Sequence, residues 1–386
     1  MLKRRKILVT TGTRAEYGIL RPLLKKINDS KKLELLLVVT GTHNSIKYGM
    51  TINEIKKDGF KIFKILKILP KSDTPYSITH SLGETIIAFS KIFKKLTPDI
   101  NVVIGDRDEM LGSAIAAYHM NIPNAHIHGG DKSGGLDEYN RHAITKMSNI
   151  HFAATKKSLL RILKLGENPK YVFQTGSTSI DEIKNNRITK KIDLEKFFDI
   201  KFRNNNVILL VYHPVSTEID KSVKEIHNIL EAITKLDCTC IIIAPNSDAG
   251  RSKVSCEISK YLKKYNFFKL FPTIPRDYYL GLLKNSTFLV GNSSSGMIEA
   301  SYFQIPVINI GNRQKNRERG KNVLDVKATS KNVVRLAFQK AIKISNNKKK
   351  KSSQLPFGNG NAAQKIVSKL ENISLDKDLI QKELMF

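Results

Sequence analysis

Residues 101–151 read NVVIGDRDEMLGSAIAAYHMNIPNAHIHGGDKSGGLDEYNRHAITKMSNIH, and the fold is decided by how this stretch is read. Ile100 to Ile104 is an apolar run of strand length, the pattern of a strand buried on both faces. It stops at Gly105-Asp106-Arg107-Asp108-Glu109, and a helix pattern follows at once. Leu111, Ala114, Ile115 and Tyr118 fall at i, i+3, i+4 and i+7, which predicts one buried helix face. Pro123 opens a second short strand that ends in His126-Ile127-His128. Residues 129–135, GGDKSGG, form a charged, flexible loop, and beyond it Asp137, Glu138, Arg141 and His142 recur at helical spacing. Neighbouring strand ends thus bring acids, histidines and arginine into one region. In an open α/β sheet, ligands bind outside the carboxyl ends of the strands.

The alternation continues outward. Lys6–Thr11 predicts a strand, residues 12–18 a turn, and Leu20, Leu23, Leu24 and Ile27 the next helix face; the strand Leu33–Thr40 ends in Gly41-Thr42-His43. Downstream, Ile150–Ala154 reads as a strand, Thr155–Leu165 as a helix stopped by Gly166, and Tyr171–Thr175 as the last strand of this half. Such a rhythm predicts a parallel sheet with helices on both faces. Residues 181–206 lose it and turn polar, so the interdomain linker is expected there. A second doubly wound domain restarts at Asn206–Tyr212. It continues through a helix at Glu218–Leu236, a strand at Thr239–Ala244, a helix at Asp277–Leu283 and a strand at Phe288–Val290. A helix at Gly296–Tyr302 and a strand at Val307–Ile310 follow. The expected division is residues 1–180, the linker 181–206, residues 207–355 and a C-terminal helical segment 356–386. Lys348–Lys351 reads as a solvated basic run before a last helix at Ala362–Leu370.

Composition narrows the class. A chain of 386 residues with 41% hydrophobic residues suits two cores. No apolar stretch is long enough to span a bilayer, and MLKRRKILVT lacks the long apolar region of a signal peptide, so a cytoplasmic, non-membrane protein is expected. Cys238, Cys240 and Cys256 offer no CxxC and no metal spacing, and are expected to be reduced. The net charge of +30 is spread along the chain without a nucleic-acid-binding signature; no nucleic-acid partner is expected, and the positive field is expected to draw in an anionic substrate. There is no GxxxxGK[ST] phosphate loop. Gly358, Gly360 and Ala363 match GxGxxA, but no strand precedes them, so no dinucleotide cofactor is expected.

The second half has its own candidates. Gly291-Asn292-Ser293-Ser294-Ser295-Gly296 joins a strand to a helix, where backbone N–H groups and hydroxyls can hold an anion. The bland alternative is a serine N-cap, but three serines between two glycines exceed what a cap requires. His213 at a strand end can contact phosphate or protonate a departing nucleotide. Arg14, at the first strand end, can pair with a diphosphate through two parallel bonds. Asn246 and Arg313 are weaker candidates of the same kind.

The central acids also have bland alternatives: Asp106 and Asp137 as helix caps, Asp131 as a turn residue. Together with His126, His128 and His142 they form a set suited to proton abstraction from carbon. His126, His128 and Asp131 read alternatively as a metal site; no bound metal is the preferred expectation.

GDRDEM at 105–110, HIHGGD at 126–131, LDEYNRHAITKMSNIH at 136–151 and GNSSSGMIEA at 291–300 resemble the hydrolysing UDP-N-acetylglucosamine 2-epimerases of sialic and legionaminic acid biosynthesis. The similarity runs from about Lys6 to about Val367, and RHAITK followed by GNSSSG is a specific pair. The resemblance implies two Rossmann-like domains facing a cleft, as in GT-B glycosyltransferases, with the final helix crossing back to the first domain. It implies loss of the C2 proton and of the nucleotide from an N-acetylglucosamine-type sugar, then hydration to an N-acetylmannosamine-type sugar, with no cofactor. The expected catalytic set is Asp106, His128, Asp131, Asp137 and His213. The expected substrate and nucleotide set is Arg14, Arg107, Arg141, Asn246, Asn292, Ser293, Ser294, Glu299 and Arg313, with Glu299 matching a ribose contact. Many family members carry glutamate where His128 stands, which leaves the second proton-transfer group among His128, Asp131 and Asp137. A homo-oligomer, dimer or tetramer, is expected. The rival readings are a non-hydrolysing 2-epimerase and a GT-B glycosyltransferase.

Overall fold

A computed structural model describes residues 4–133, 136–185, 188–202, 206–346 and 355–385. The chain divides into two compact units. The first takes in the chain up to residue 132, residues 136–185 and the chain from 356 onward; the second contains residues 186–355.

The first unit runs β1 (Arg5–Thr11), α1 (Arg14–Asn28), β2 (Leu33–Val39), α2 (Ile52–Lys57), β3 (Ile62–Ile65) and α3 (Pro75–Leu96). It continues β4 (Ile100–Ile104), α4 (Asp108–His119), β5 (Asn124–Ile127), α5 (Leu136–Lys146), β6 (Ile150–Ala153), α6 (Lys156–Lys164), β7 (Val172–Gln174) and α7 (Thr178–Asn185). The strands form one parallel sheet in the order β3-β2-β1-β4-β5-β6-β7. Alternate residues of β1 serve opposite faces, as the strand period requires. Ile7 and Val9 join a core with Leu20, Leu24 and Ile27 of α1, whereas Leu8 packs with Phe89 and Phe93 of α3. Burying each such side chain contributes roughly 1.5–3 kcal/mol.

The second unit runs α8 (Lys191–Phe198), β8 (Asn206–Val211), α9 (Ile219–Ile233), β9 (Cys238–Ile243), α10 (Arg251–Lys264), β10 (Phe268–Phe271), α11 (Arg276–Asn285) and β11 (Phe288–Gly291). Then come α12 (Ser294–Met297), α13 (Glu299–Phe303), β12 (Val307–Ile310), β13 (Val323–Val326) and α14 (Lys331–Asn346). Its parallel sheet is ordered β10-β9-β8-β11-β12-β13. The chain closes with α15 (Ala362–Asn372) and α16 (Lys377–Ile380). Ala363, Ile366, Val367 and Leu370 of α15 lie in the core of the first unit, and Asp181 of α7 accepts hydrogen bonds from the Ala362 and Ala363 N–H groups.

The boundary between the two units, at residues 185 and 186, falls within the stretch 181–206 expected as a linker, and the described part of that stretch carries helices. α7 buries Thr178 through Ile183 in the first unit, and α8 buries Leu194 and Phe198 in the second. The polar residues of the stretch belong to short amphipathic helices, which remove strand rhythm without removing structure. Other expectations need correction. α4 buries Met110, Ser113, Ala114 and Ala117, one position off the predicted stripe, and Tyr118 is exposed. Small residues face the core there, so the bulky ones misled. The helix expected at Gly296–Tyr302 is broken at Ile298 into α12 and α13. β3, β10 and β13 lie at sheet edges and carry Lys64, Lys269 and Asp325 within them, so no continuous apolar run marks them. Asn101 inside β4 is buried, and its amide is satisfied by Asn124 of β5 and Ser113 of α4. The Lys348–Lys351 run lies outside the described residues. No helix among the described residues is long and apolar enough to cross a membrane.

Candidate functional site

Each sheet reverses its strand order once, at β1/β4 in the first unit and at β8/β11 in the second. Such switch points are where doubly wound sheets bind ligands. The predicted site residues gather after these strands and after β5, β9 and β12.

In the first unit, β1 ends in Gly12-Thr13, and Thr13 caps α1. Its side chain accepts the Glu16 N–H, and Glu16 Oε2 accepts the N–H groups of Gly12 and Thr13, both at 2.9 Å. The amides that another α/β protein would offer to a phosphate are therefore occupied by the chain's own carboxylate. Across the switch point, Glu109 of α4 packs its carboxylate on Gly12 and Gly41. A β-carbon on Gly41 would stand 2.6 Å from Glu109 Oε1, and the positive φ of Gly41 further favours glycine. Arg14 pairs with Glu54 at 2.8 Å and Arg107 with Glu109 at 3.3 Å. Burial first, then the nearby Glu109 charge, pushes the Glu16 carboxyl up to about 8.

Asp106 does not cap α4: the N-cap position is Arg107, without a side-chain cap bond. Asp106 is instead held by Arg141 of α5, whose other terminal nitrogen donates to the His128 carbonyl at 3.0 Å. Arg141 is buried and engaged with both Asp106 and the His128 carbonyl. His128 ends β5 in the left-handed region, at φ 62°. Its ring is fixed between Asp131, at 3.1 Å from Nδ1, and Ser177, at 3.0 Å from Nε2; Asp131 also accepts from Ser158 at 2.7 Å. Both His128 and Asp131 are buried, whereas Asp106 and Asp137 keep partial exposure.

His126 is structural. Its ring nitrogens are matched to the Gly105 carbonyl and the Thr145 hydroxyl, and burial pushes its imidazole down to about 3. With those nitrogens engaged, the His126–His128–Asp131 metal reading lacks a ligand set. Among the described residues no group of three or more His, Cys, Asp or Glu side chains is placed to hold a metal. His142 pairs with Glu138 of its own helix at 3.1 Å.

In the second unit, β8 and β11 approach closely enough that a β-carbon on Gly291 would collide with the Val211 carbonyl. Asn292 then clamps the His213 backbone, accepting its N–H and donating to its carbonyl, both at 2.8 Å. The Asn292 side chain was expected at the nucleotide; here both of its polar ends fix His213. His213 Nδ1 accepts the Asn246 backbone N–H at 3.1 Å, which places the neutral ring's proton on Nε2 as a donor. The Asn246 side chain bonds Asp248, and Arg313 lies 3.8 Å from Asp248. Ser293 caps α12 by accepting the Ser295 N–H at 3.3 Å, while Ser294 is half-buried at the first helical position. α12 has only four residues, so the donors here act locally and not through a long helix dipole. Glu299 is buried and paired with Arg276 at 2.7 Å.

Sequence reading passed over Glu16, Glu109, Ser158, Ser177, Gln314 and Arg276. The capping-box signature Thr13-Arg14-Ala15-Glu16 marks Glu16. Gln314, which donates to the Asn292 carbonyl at 3.1 Å, and Arg276 carry no local signal.

This chain belongs to the UDP-N-acetylglucosamine 2-epimerase family, whose model matches residues 25–371. It is 36% identical over 381 residues, 98% of each chain, to a UDP-N,N'-diacetylbacillosamine 2-epimerase (hydrolyzing) of Legionella pneumophila. It is 38% identical to the GDP/UDP-N,N'-diacetylbacillosamine 2-epimerase (hydrolyzing) of Campylobacter jejuni, over 84% of this chain and 85% of that one. A crystal structure of UDP-GlcNAc 2-epimerase from Neisseria meningitidis bound to UDP-GlcNAc shares the fold, with a TM-score of 0.80 at 22% identity, covering 95% of this chain and 99% of that one. The α/β architecture of two parallel, doubly wound sheets is thus that of GT-B-like epimerase structures.

Proposed function

We propose that this protein is a hydrolysing 2-epimerase acting on a nucleotide-activated 2,4-diacetamido sugar of the diacetylbacillosamine type, releasing nucleoside diphosphate and the 2-epimeric free sugar. One observation carries the chemistry: at the first switch point Asp106 keeps partial exposure and is held in place by the buried Arg141, one turn along α5 from the half-buried Asp137. The substrate class rests on likeness. Identity is 36% and 38% to the two diacetylbacillosamine enzymes, against 32% and 26% to Neisseria meningitidis and Campylobacter jejuni proteins named UDP-N-acetylglucosamine 2-epimerase.

The reaction follows from these groups. Asp106 or Asp137 takes the C2 proton while the C1–oxygen bond breaks, and the electron pair of the C–H bond becomes the C1–C2 double bond. His213, neutral with its proton on Nε2, hydrogen-bonds through that N–H to the departing diphosphate oxygen, which leaves as an anion. The opposite carboxyl group then returns a proton to C2 from the other face, and water adds its hydroxyl at C1 while its remaining proton passes to the released diphosphate anion. Ser294 and Glu299 hold the nucleotide, Glu299 through the ribose, with Arg14, Arg107 and Arg313 balancing the diphosphate charge. His128 and Asp131 act from behind, fixing the β5 turn. A cytoplasmic setting fits such a substrate.

The test is turnover of UDP- and GDP-linked N-acetylglucosamine and N,N'-diacetylbacillosamine, without acceptor, in D₂O and in ¹⁸O-labelled water. Free nucleoside diphosphate without label, and a product with one deuterium at C2 and inverted configuration there, is the expected result. Label in the diphosphate would mean attack at phosphorus and end this reading. A nucleotide sugar returned intact as its 2-epimer would assign the non-hydrolysing reaction, and dependence on an acceptor would assign a transferase.

A further inference from the structure

The β1–α1 turn contains a carboxylate that the proposed mechanism does not use. Glu16 Oε2 accepts two backbone N–H groups, but Glu16 Oε1 is buried with no hydrogen-bond partner. An ionised carboxylate would leave that oxygen desolvated and unmatched, a costly state. The Glu109 carboxylate rests against the same Gly12, on the other side of the switch point. A buried carboxylate with a second, half-buried one against the same turn does not ionise cheaply.

We propose that Glu16 and Glu109 together hold a single proton, carried on Glu16 Oε1, and that this proton keeps Arg107 and Arg14 available to an anionic substrate. Glu16 is thus a positioning residue; its influence on the substrate, which rests on the nucleotide-sugar reading above, runs through the arginines.

The charges around the turn explain why the proton matters. Glu109 and Arg107 face Glu16 from α4, Arg14 lies on α1 itself, and Glu54 of α2 pairs with Arg14. His43, from the turn after β2, is buried between Thr11 and Thr51 and stays neutral, its imidazole pushed down to about 3. Farther along α1, Arg21 is occupied by Asp58 and by Glu182 of α7. With Glu16 protonated, Glu109 and Glu54 balance Arg107 and Arg14. With Glu16 ionised, the turn carries one excess negative charge where a diphosphate must approach. Burial and the Glu109 charge hold the Glu16 proton up to about 8, so the change falls on the alkaline side of neutrality.

Side-chain carboxyl titration by ¹³C NMR of glutamate-labelled, ligand-free protein tests the proton directly. The expected result is one carboxyl that titrates near 8, is missing from Glu16→Gln, and moves toward the ordinary range in Glu109→Gln. If every glutamate titrates in the ordinary range, or if Glu109→Gln leaves the high one in place, the shared proton is wrong. Should Glu16→Gln fail to fold, the shift caused by Glu109→Gln identifies the signal and still decides. The second arm is KM for the nucleotide sugar against pH. It should rise on the alkaline side in the wild-type protein and lose that rise in Glu16→Gln; a KM rise shared by both would sever the proton from substrate binding. If no nucleotide sugar turns over, the functional reading fails while the titration still settles the proton.

Discussion

The two units build the same strand–turn–helix crossing at their switch points and then use it in opposite ways. In the first, the turn after β1 accommodates carboxylates: Glu16 takes up the free amides, Glu109 lies on Gly12 and Gly41, and Asp106 is held by Arg141. In the second, the turn after β11 displays donors: Ser294 sits beside Ser293, and Asn292 fixes His213 with Nε2 protonated. The difference shows that a doubly wound topology supplies a location, not a chemistry. Which groups fill the first few positions after each strand decides whether the location moves protons or binds anions.

The widest separation of these roles should come from Asp106→Asn. The change is isosteric and leaves the amide able to accept from Arg141. Turnover should fall ~10²–10⁴-fold, the usual loss of one positioned acid–base group, while calorimetric affinity for UDP stays within about twofold. Equal losses of turnover and affinity would merge the two roles and break the comparison. Glu299→Gln probes the other unit. Replacing a buried, charged acceptor should weaken UDP binding by ~1.5–3 kcal/mol, roughly 10- to 100-fold. Preserved affinity with lost turnover would move Glu299 to the chemistry.

What the sequence discloses follows the same division. Central strands are legible because both faces are buried, as in Ile100–Ile104 and Val307–Ile310, which match the observed β4 and β12. The edge strands β3 and β10 are not, since Lys64 and Lys269 interrupt their apolar runs, whereas β7, also at an edge, keeps a readable one at Tyr171–Thr175. Candidate residues are legible when they end a strand: Asp106, His128, His213 and Ser294 do. Their partners are not, because partnership is a matter of distance and not of spacing. Arg141 reaches Asp106 from 35 positions away, and Ser177 reaches His128 from 49. The sequence marks Arg141 and Asn292 as candidates, and only the fold reveals their bonds to Asp106 and to the His213 backbone.

A smaller effect is expected from Ser294→Ala. The half-buried hydroxyl is one neutral donor among several, so UDP affinity should drop by about 1 kcal/mol, near fivefold, with the pH profile of turnover unchanged. Isothermal titration with UDP and GDP measures it. A loss as large as that of Glu299→Gln would mean that the short α12 contributes more than its four residues suggest.

The last test probes the carboxylate character of the first unit through stability. The Glu16 carboxyl is raised from an ordinary 4.5 to about 8 in the folded protein by burial and then by Glu109. Below 4.5 both folded and unfolded chains keep this proton, and Glu16 adds no pH dependence. Between 4.5 and 8 the unfolded chain releases the proton and the folded chain retains it, so the folded state loses ground as pH rises. The slope is at most about 1.4 kcal/mol per pH unit. Above 8 both forms are ionised and the dependence stops. Glu16→Gln has no proton to release, yet its amide oxygen can still accept from Gly12 and Thr13. Its melting temperature relative to wild type should therefore climb steadily from pH 5 to pH 8 and then level off. Melting curves at one-unit pH intervals, with hydrogen exchange confirming that the change lies in β1 and α1, give the answer. A constant offset between the two proteins across that window would mean that Glu16 is ionised in the fold. The first switch point would then hold its carboxylates without a proton between them.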